Sequence, residues 1–171
     1  MDVRHGGRAG VGHGERTAPA EPPTDRDGAG AAGGVVVGVD GSEHSLRALD
    51  WAADEAGRRG VPLVVLHANF WTDDALRLPA FAEQRDLDAA ALRAAVARAR
   101  QRQPGLTVVG RATAPPAAEA LVDASRDAVL VVVGTRGLRL VDELALGSVS
   151  HHLACHAHCP VVMVPGPAPA R

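Results

Sequence analysis

Short, mostly apolar segments alternate along the chain with longer segments whose apolar residues recur at helical spacing. The short segments lie at residues 35–39, 63–66 (running on to about 70), 106–112, 129–133 and 161–164. Most of them show no alternation with polar residues, and a strand that is apolar on both sides is buried on both faces, as in a parallel sheet covered by helices. The pattern therefore predicts five strands with four helices between them.

The first predicted helix has recognisable signals at both ends. Ser42 is a residue type preferred at N-caps. Leu46 and Leu49 follow at helical spacing, and Gly60, which comes after two arginines, suits the residue that ends a helix. Further helices are predicted at about 83–102, 115–126 and 147–158. The predicted apolar face of the second helix comprises Leu87, Ala91, Leu92, Ala95 and Ala99.

Elements in this order predict an α/β fold with a doubly wound, open, mostly parallel five-stranded sheet. Right-handed crossovers between parallel strands place helices on both faces of such a sheet. A ligand binds beyond the carboxyl ends of the strands, at the point where the strand order reverses. Asp40 follows the first predicted strand and Gly134 follows the fourth, so these two strands are the candidates for the position of the reversal.

The folded domain is expected at residues 34–166, with a disordered tail at 1–33 and a short tail at 167–171. The first tail is rich in Gly, Pro, Asp and Arg, and its only large aliphatic residues are Val3 and Val11. Such a segment buries too little apolar area to offset the entropy that it would lose on ordering.

The composition excludes several classes of function. The formal net charge is −2, with 18 basic and 20 acidic side chains, and aromatic residues make up 2%. This near-balance argues against nucleic-acid and membrane surfaces, and the shortage of aromatic side chains argues against base-stacking platforms. All the basic residues are Arg, so lysine-based phosphate loops and Schiff bases are excluded. A phosphate would be held by backbone amides, hydroxyls, helix ends or Arg.

The sequence also favours a cytoplasmic protein. Its longest purely apolar run, at residues 128–133, is far shorter than a membrane span, and residues 1–14 lack the apolar core of a secretory signal. Cys155 and Cys159 lie on one predicted helix, which disfavours a disulfide between them and fits a reducing compartment.

The main chemical feature is a glycine-rich loop that leads from the fourth strand into the last helix. Two residues separate Gly134 from Gly137, nine separate Gly137 from Gly147, and Ser148 follows. Glycines turn backbone amides toward a phosphate, and the free amides and dipole of a helix start attract an anion. The hydroxyls of Ser148 and Ser150 add neutral donors. These parts make a phosphate site without lysine, although glycines after strands and serines at helix starts are also ordinary turn chemistry.

Three stretches of the chain resemble the universal stress protein family. They are VVVGVDGS at residues 35–42, LVVLH at residues 63–67, and the spaced glycines, which match the pattern G-x2-G-x9-G-[S/T] in full and precede HAHCPV at residues 156–161. The resemblance covers about residues 34–165, and the glycine pattern is typical of the ATP-binding branch of the family. It implies a regulatory nucleotide-binding protein of the stress response that is not an enzyme.

The resemblance also implies a role for each matching residue. Those implied at the adenosine end of ATP are Gly38, Val39, Asp40 and Ala68, with Gly134 beside the ribose. Those implied at the phosphates, which Mg²⁺ can accompany, are Gly137, Gly147, Ser148, Val149 and Ser150. Members of the family are usually homodimers joined through the last strand, which here comprises Val161, Val162, Met163 and Val164. An apolar edge strand is normally covered or paired.

Other interpretations stay open from the sequence. The chain could be a slow ATPase or phosphotransferase, or a nucleotide-free dimeric scaffold whose glycines only make turns. Asp40 also suits a turn cap before Ser42, and His67 suits a hydrogen bond to backbone. The His and Cys residues at 151–159 invite a metal interpretation. The pair His152 and His156 and the pair Cys155 and Cys159 would lie on different faces of a helix, so they do not converge on one ion. A closed zinc site needs about four ligands, and we therefore expect no metal site.

Overall fold

The computed structural model of this chain describes residues 32–68, 82–113, 116–135 and 147–166. Strands and helices alternate through these ranges in the predicted order, with ends shifted by a few residues. The elements are β1 (Val35–Gly38), α1 (Glu43–Arg59), β2 (Leu63–Ala68), α2 (Ala82–Arg102), β3 (Val108–Thr113), α3 (Ala117–Ala124), β4 (Leu130–Gly134), α4 (Ser148–His156) and β5 (Val161–Val164). Most of the expected tail at 1–33, and all of that at 167–171, lies outside the described residues.

The described strands form one parallel sheet in the order β3-β2-β1-β4-β5. The strand order reverses between β1 and β4, which are the two strands that the sequence analysis selects. Because parallel strands end at the same edge, the carboxyl ends of β1 and β4 lie side by side. The fold therefore provides a crevice at the place where the sequence predicts a ligand.

Helices cover both faces of the sheet, as the continuously apolar strands require. Val35 and Val37 belong to a core layer formed with α1 and α2. Val36 belongs to a second layer formed with α3 and α4. These three side chains are at most 3% exposed. The predicted doubly wound α/β fold is confirmed.

α1 begins and ends where its sequence signals place it. Ser42 Oγ accepts a hydrogen bond from the Ser45 N–H at 3.2 Å, and Gly60 ends the helix with a left-handed φ of 66°. Only glycine adopts that conformation without a steric cost. The fixed start of α1 keeps Ser45 close to the end of β1.

α2 packs differently from the prediction. Leu92, Ala95 and Ala99 are buried, but Leu87 is 58% exposed and Ala91 is exposed too, so the predicted apolar face is wrong at these two positions. Burial is confined to the turns from Leu92 onward. Helical spacing shows which residues share a face, but it does not show which turns of the helix reach the sheet.

Two bidentate ion pairs supplement the short apolar face of α2. Arg98 donates to Asp50 at 2.7 and 2.6 Å, and Arg102 donates to Asp54 at 2.8 and 2.6 Å. The hydrogen bond from Arg102 lowers the pKa of Asp54 below its ordinary value. Exposed pairs of this kind contribute about 1 kcal/mol or less each, so they align α2 with α1 rather than drive its packing.

Cys155 and Cys159 do not share a helix, contrary to the prediction. α4 ends at His156, and Ala157 already has the extended ψ of 147°. Cys159 directly precedes Pro160, a position biased away from helical backbone. Both thiols are free. Within the ranges that the structure describes, no helix is both long enough and apolar enough to cross a bilayer.

Candidate functional site

A cleft opens at the carboxyl ends of β1 and β4. It combines apolar side chains, among them Leu66, Leu121 and Val133, with backbone and hydroxyl groups. The described residues that line it are Gly38, Val39, Asp40, Ser45, Leu66, Ala68, Ala117, Leu121, Val133, Gly134, Gly147, Ser148, Val149 and Ser150. Every site residue predicted within the described ranges belongs to this set, whereas Gly137 lies outside those ranges.

The cleft also has lining residues that the sequence analysis does not single out. Leu66 lies two residues before Ala68, so the two-residue period of a strand places both on one face. Ala117 and Leu121 are four residues apart on α3 and share a helix face. These apolar walls become visible only when the packing of α3 against the sheet is known, because nothing in the local sequence distinguishes them from core residues.

Asp40 acts as a turn cap and lines the cleft as well. Its Oδ1 accepts the Ser42 N–H at 3.0 Å, and its own N–H donates to Ser45 Oγ at 3.3 Å. The Ser45 hydroxyl donates in turn to the Ser42 carbonyl oxygen at 2.9 Å. These bonds hold the Asp40 backbone and carboxylate in a defined position at the end of β1, so the two interpretations made from the sequence are compatible.

The start of α4 faces the cleft without a side-chain cap. Its N-cap residue is Gly147, with φ −60° and ψ 152°, and the Gly147 N–H donates to the Thr135 carbonyl oxygen at 2.9 Å. The next three amides, of Ser148, Val149 and Ser150, precede the first residue that has an i−4 partner in the helix. They lie at the positive end of the helix dipole, which favours an anion. By contrast, α1 has Ser42 as its N-cap residue.

The two hydroxyls of the motif are not equivalent. Ser150 is 2% exposed and its hydroxyl donates to the Gly134 carbonyl oxygen at 2.8 Å. That bond ties the first turn of α4 to the end of β4. Ser148 is exposed at the rim. The proton of the Ser150 hydroxyl therefore has a structural partner already, and the backbone N–H of Ser150 is the donor that the first turn of α4 leaves without an i−4 partner.

Gly134 is required by the packing of α1. A Cβ atom at this position would lie 2.9 Å from the backbone carbon of His44 and 3.0 Å from its carbonyl oxygen. Those are backbone atoms that cannot move aside. At Gly38 a Cβ would meet Leu121 Cδ1 at 2.9 Å, which is the end of a flexible side chain rather than backbone. Gly134 thus has a structural reason that holds without a ligand, whereas the contact at Gly38 does not by itself require glycine.

The histidine and cysteine residues near α4 do not gather into a ligand set. The rings of His152 and His156 lie 4.4 Å apart, and burial raises the pKa of the Cys159 thiol, which disfavours the thiolate that a metal would need. In the described part of the chain, no three His, Cys, Asp or Glu side chains come close enough to hold a metal ion.

His67 hydrogen-bonds to backbone, as the sequence analysis anticipates. Its Nδ1 lies 2.9 Å from the Val39 carbonyl oxygen, and the residue is 8% exposed. The imidazole belongs to the frame behind the cleft and does not line it.

Sequence comparisons relate this chain to one family of known proteins. The model of the Universal stress protein family matches residues 33–165. A universal stress protein of Thermus aquaticus is 38% identical over 137 residues, which is 76% of this chain and 96% of the relative. One of Mycobacterium tuberculosis is 38% identical over 140 residues, which is 77% of this chain and 47% of the relative. The chain thus spans about half the length of the mycobacterial relatives that it matches.

Solved structures give the same fold. A universal stress protein from Archaeoglobus fulgidus superposes with a TM-score of 0.63 and 27% identity, over 77% of this chain and 98% of that one. A universal stress protein in complex with cAMP superposes with a TM-score of 0.61 and 30% identity, over 80% of this chain and 99% of that one. The universal stress protein from Archaeoglobus fulgidus in complex with dAMP superposes with a TM-score of 0.60 and 26% identity, over 77% of this chain and 97% of that one.

Replacing Gly134 with Ala is expected to lower the free energy of unfolding by about 1–3 kcal/mol, because the added Cβ overlaps the His44 backbone. Chemical denaturation of the nucleotide-free protein measures this change. Gly105→Ala is the matched control, since nothing lies within 4 Å of a Cβ there, and it should leave stability unchanged or slightly higher. Equal stability of the two variants would show that α1 does not require glycine at position 134.

Proposed function

This chain belongs to the universal stress protein family, and we propose that its cleft binds ATP as part of a regulatory homodimer of the stress response. The uncapped start of α4 beside an apolar cleft is the observation that carries the proposal. The complexes of related structures with cAMP and dAMP support adenine nucleotides as the ligand class.

We propose that the nucleoside lies at the β1–β2 side of the cleft. Leu66 and Leu121 offer apolar surface to a base, and the backbone at Ala68 offers polar groups to its edge. Asp40 supplies a carboxylate for the ribose hydroxyls while its Oδ1 stays bonded to the Ser42 N–H. Gly38 and Val39 complete the proposed nucleoside site on the β1 side, which is the role that the family resemblance implies for them.

In the same proposal the phosphates lie at the start of α4. The amides of Ser148, Val149 and Ser150 donate to phosphate oxygens, with the Ser148 hydroxyl as a further donor. Gly137, outside the described residues, adds an amide on the strength of the family pattern. The site fits a triphosphate held without lysine. Mg²⁺ would be held mainly by the phosphates and water, because Asp40 is the only acid among the described residues that line the cleft.

We also propose that this nucleotide serves regulation rather than turnover. Fast phosphoryl transfer needs a positioned nucleophile, metal ligands and concentrated positive charge. Among the described lining residues, Asp40 is the only ionisable side chain, and it is already bonded to the turn that starts α1. The two free thiols are consistent with work in the cytoplasm.

The homodimer is proposed to form through β5, at residues Val161, Val162, Met163 and Val164. β5 is an edge strand whose residues are all half-buried. The carbonyls of Pro160 and Val164 accept hydrogen bonds from the β4 side. Because a strand alternates the direction of its backbone groups, those of Val161 and Met163 point to the open edge. A second copy that pairs there would satisfy them and cover the edge.

Gly147→Asp is expected to weaken ATP binding about 100-fold or more while leaving stability unchanged or higher. Aspartate is a favourable N-cap, so its carboxylate would accept hydrogen bonds from the amides of the first turn and repel phosphate. ATP would then lose its hydrogen bonds to those amides, which contribute about 1.5–3 kcal/mol each because the phosphate is charged. The φ of −60° at Gly147 suits any residue. Isothermal titration calorimetry measures the affinity, and denaturation measures the stability.

Two controls separate charge from capping. Gly147→Asn caps the helix without charge and should weaken binding by about tenfold. Gly105→Asp adds the same charge at an open position and should leave binding unchanged. ATP binding by Gly147→Asp at the wild-type affinity would refute the phosphate site.

Met163→Pro is expected to give a monomer at concentrations where the wild type is a dimer. Proline removes an N–H that points to the open edge and leaves the β4–β5 ladder in place. Met163→Ala is the matched control, because it loses the same side-chain packing but keeps the N–H, and it should stay dimeric. Sedimentation velocity distinguishes the states. A dimeric Met163→Pro protein, or a monomeric wild type, would contradict pairing through β5.

A further inference from the structure

His67 lies between two cleft residues but faces away from the cleft. Leu66 and Ala68 line the cleft, and the alternation of β2 sends the His67 side chain to the opposite face of the sheet. There it is buried against α2, where its Nε2 lies 3.6 Å from Asp88 Oδ1. Its Nδ1 lies 2.9 Å from the Val39 carbonyl oxygen. A carbonyl oxygen only accepts hydrogen bonds, so Nδ1 carries the proton and donates it.

The hydrogen bond from His67 Nδ1 to the Val39 carbonyl lies just beyond the end of β1, where the backbone leaves the sheet. β1 ends at Gly38, and the Val39 N–H still donates to the Leu66 carbonyl oxygen at 2.9 Å. Beyond that bond, His67 holds the carbonyl of Val39, and Ser45 Oγ accepts the N–H of Asp40 at 3.3 Å. Both polar groups of the Val39–Asp40 peptide are therefore held by side chains. The peptide sets the backbone from which the Asp40 side chain starts, and the bond from the Ser42 N–H to Oδ1 then holds the carboxylate.

We propose that His67 is the positioning residue of the nucleoside end of the cleft. From the far face of the sheet it fixes the Val39–Asp40 peptide before the nucleoside binds, which lowers the free-energy cost of ordering this part of the cleft on binding. The inference rests on the proposed function, and it adds a residue that does not touch the nucleotide. The phosphate end, at the start of α4, is independent of His67 because it is held by bonds to Thr135 and Gly134.

Two amide substitutions at position 67 separate positioning from polarity. In His67→Asn the side-chain amide nitrogen stands near the position of Nδ1, so the variant can still donate to the Val39 carbonyl. In His67→Gln the amide nitrogen stands near the position of Nε2 and meets Asp88 instead. The two variants are similar in polarity and both are neutral, and they differ mainly in whether the bond to Val39 is kept.

The test uses the full chain and two probes, adenosine and inorganic tripolyphosphate, with affinities from calorimetry. We expect His67→Gln to weaken adenosine binding about tenfold, the usual effect of losing one buried hydrogen bond. Tripolyphosphate binding should stay at the wild-type value. His67→Asn should restore adenosine binding to within about threefold of wild type. This selectivity distinguishes positioning from a general loss of structure, which would weaken both probes.

The contrary outcomes are distinct. Adenosine binding by His67→Gln at the wild-type affinity, equal losses for both probes, or no recovery in His67→Asn would each overturn the role of His67. A wild-type protein that binds neither probe would instead overturn the proposed function itself. If His67→Gln does not fold, His67→Leu takes its place, because leucine suits a buried strand position and has no donor for the Val39 carbonyl. A selective loss of adenosine binding in that variant supports the proposal, and an unchanged or unselective result refutes it.

Discussion

The site depends on a helix that begins without a side-chain cap. Gly147 has no side chain to offer, and its own N–H is bonded to Thr135, so the first amides of α4 are left to an acceptor from outside the helix. Backbone donors without a partner cost free energy wherever water has limited access. An anion is the best acceptor here, because it also meets the positive end of the helix dipole. The proposed position of the phosphates follows from this constraint.

The rest of the fold brings an apolar crevice to that helix start. A parallel sheet that reverses its order between β1 and β4 ends both strands beside α4. Gly134 lets α1 approach the end of β4, and the Ser150 hydroxyl fastens α4 to the same point. Packing thus accounts for part of the glycine and serine motif, and the proposed phosphate site accounts for the rest. At the proposed nucleoside end, the side chains of His67 and Ser45 likewise hold backbone groups beyond the last bonds of the sheet.

Local signals were sufficient for much of this architecture. Ser42 and Gly60 mark the ends of α1 through cap chemistry that depends only on neighbouring residues, and the apolar runs identify buried strands. Other features depend on distant parts of the chain. Leu87 has the right spacing for the apolar face of α2, yet its turn does not reach the core. Leu121 lines the cleft only because α3 packs over β1 and β2, and Gly134 is required by a residue of α1. Such contacts have no signature in the local sequence.

The most direct test of the account is two-dimensional NMR of the labelled protein, with adenosine and ATP added in separate titrations. If the start of α4 holds phosphate, the amide resonances of Ser148, Val149 and Ser150 will shift strongly to low field with ATP and little with adenosine, while those of Val39 and Asp40 respond to both. Shifts at α4 that are the same for the two ligands, or absent with saturating ATP, would contradict it.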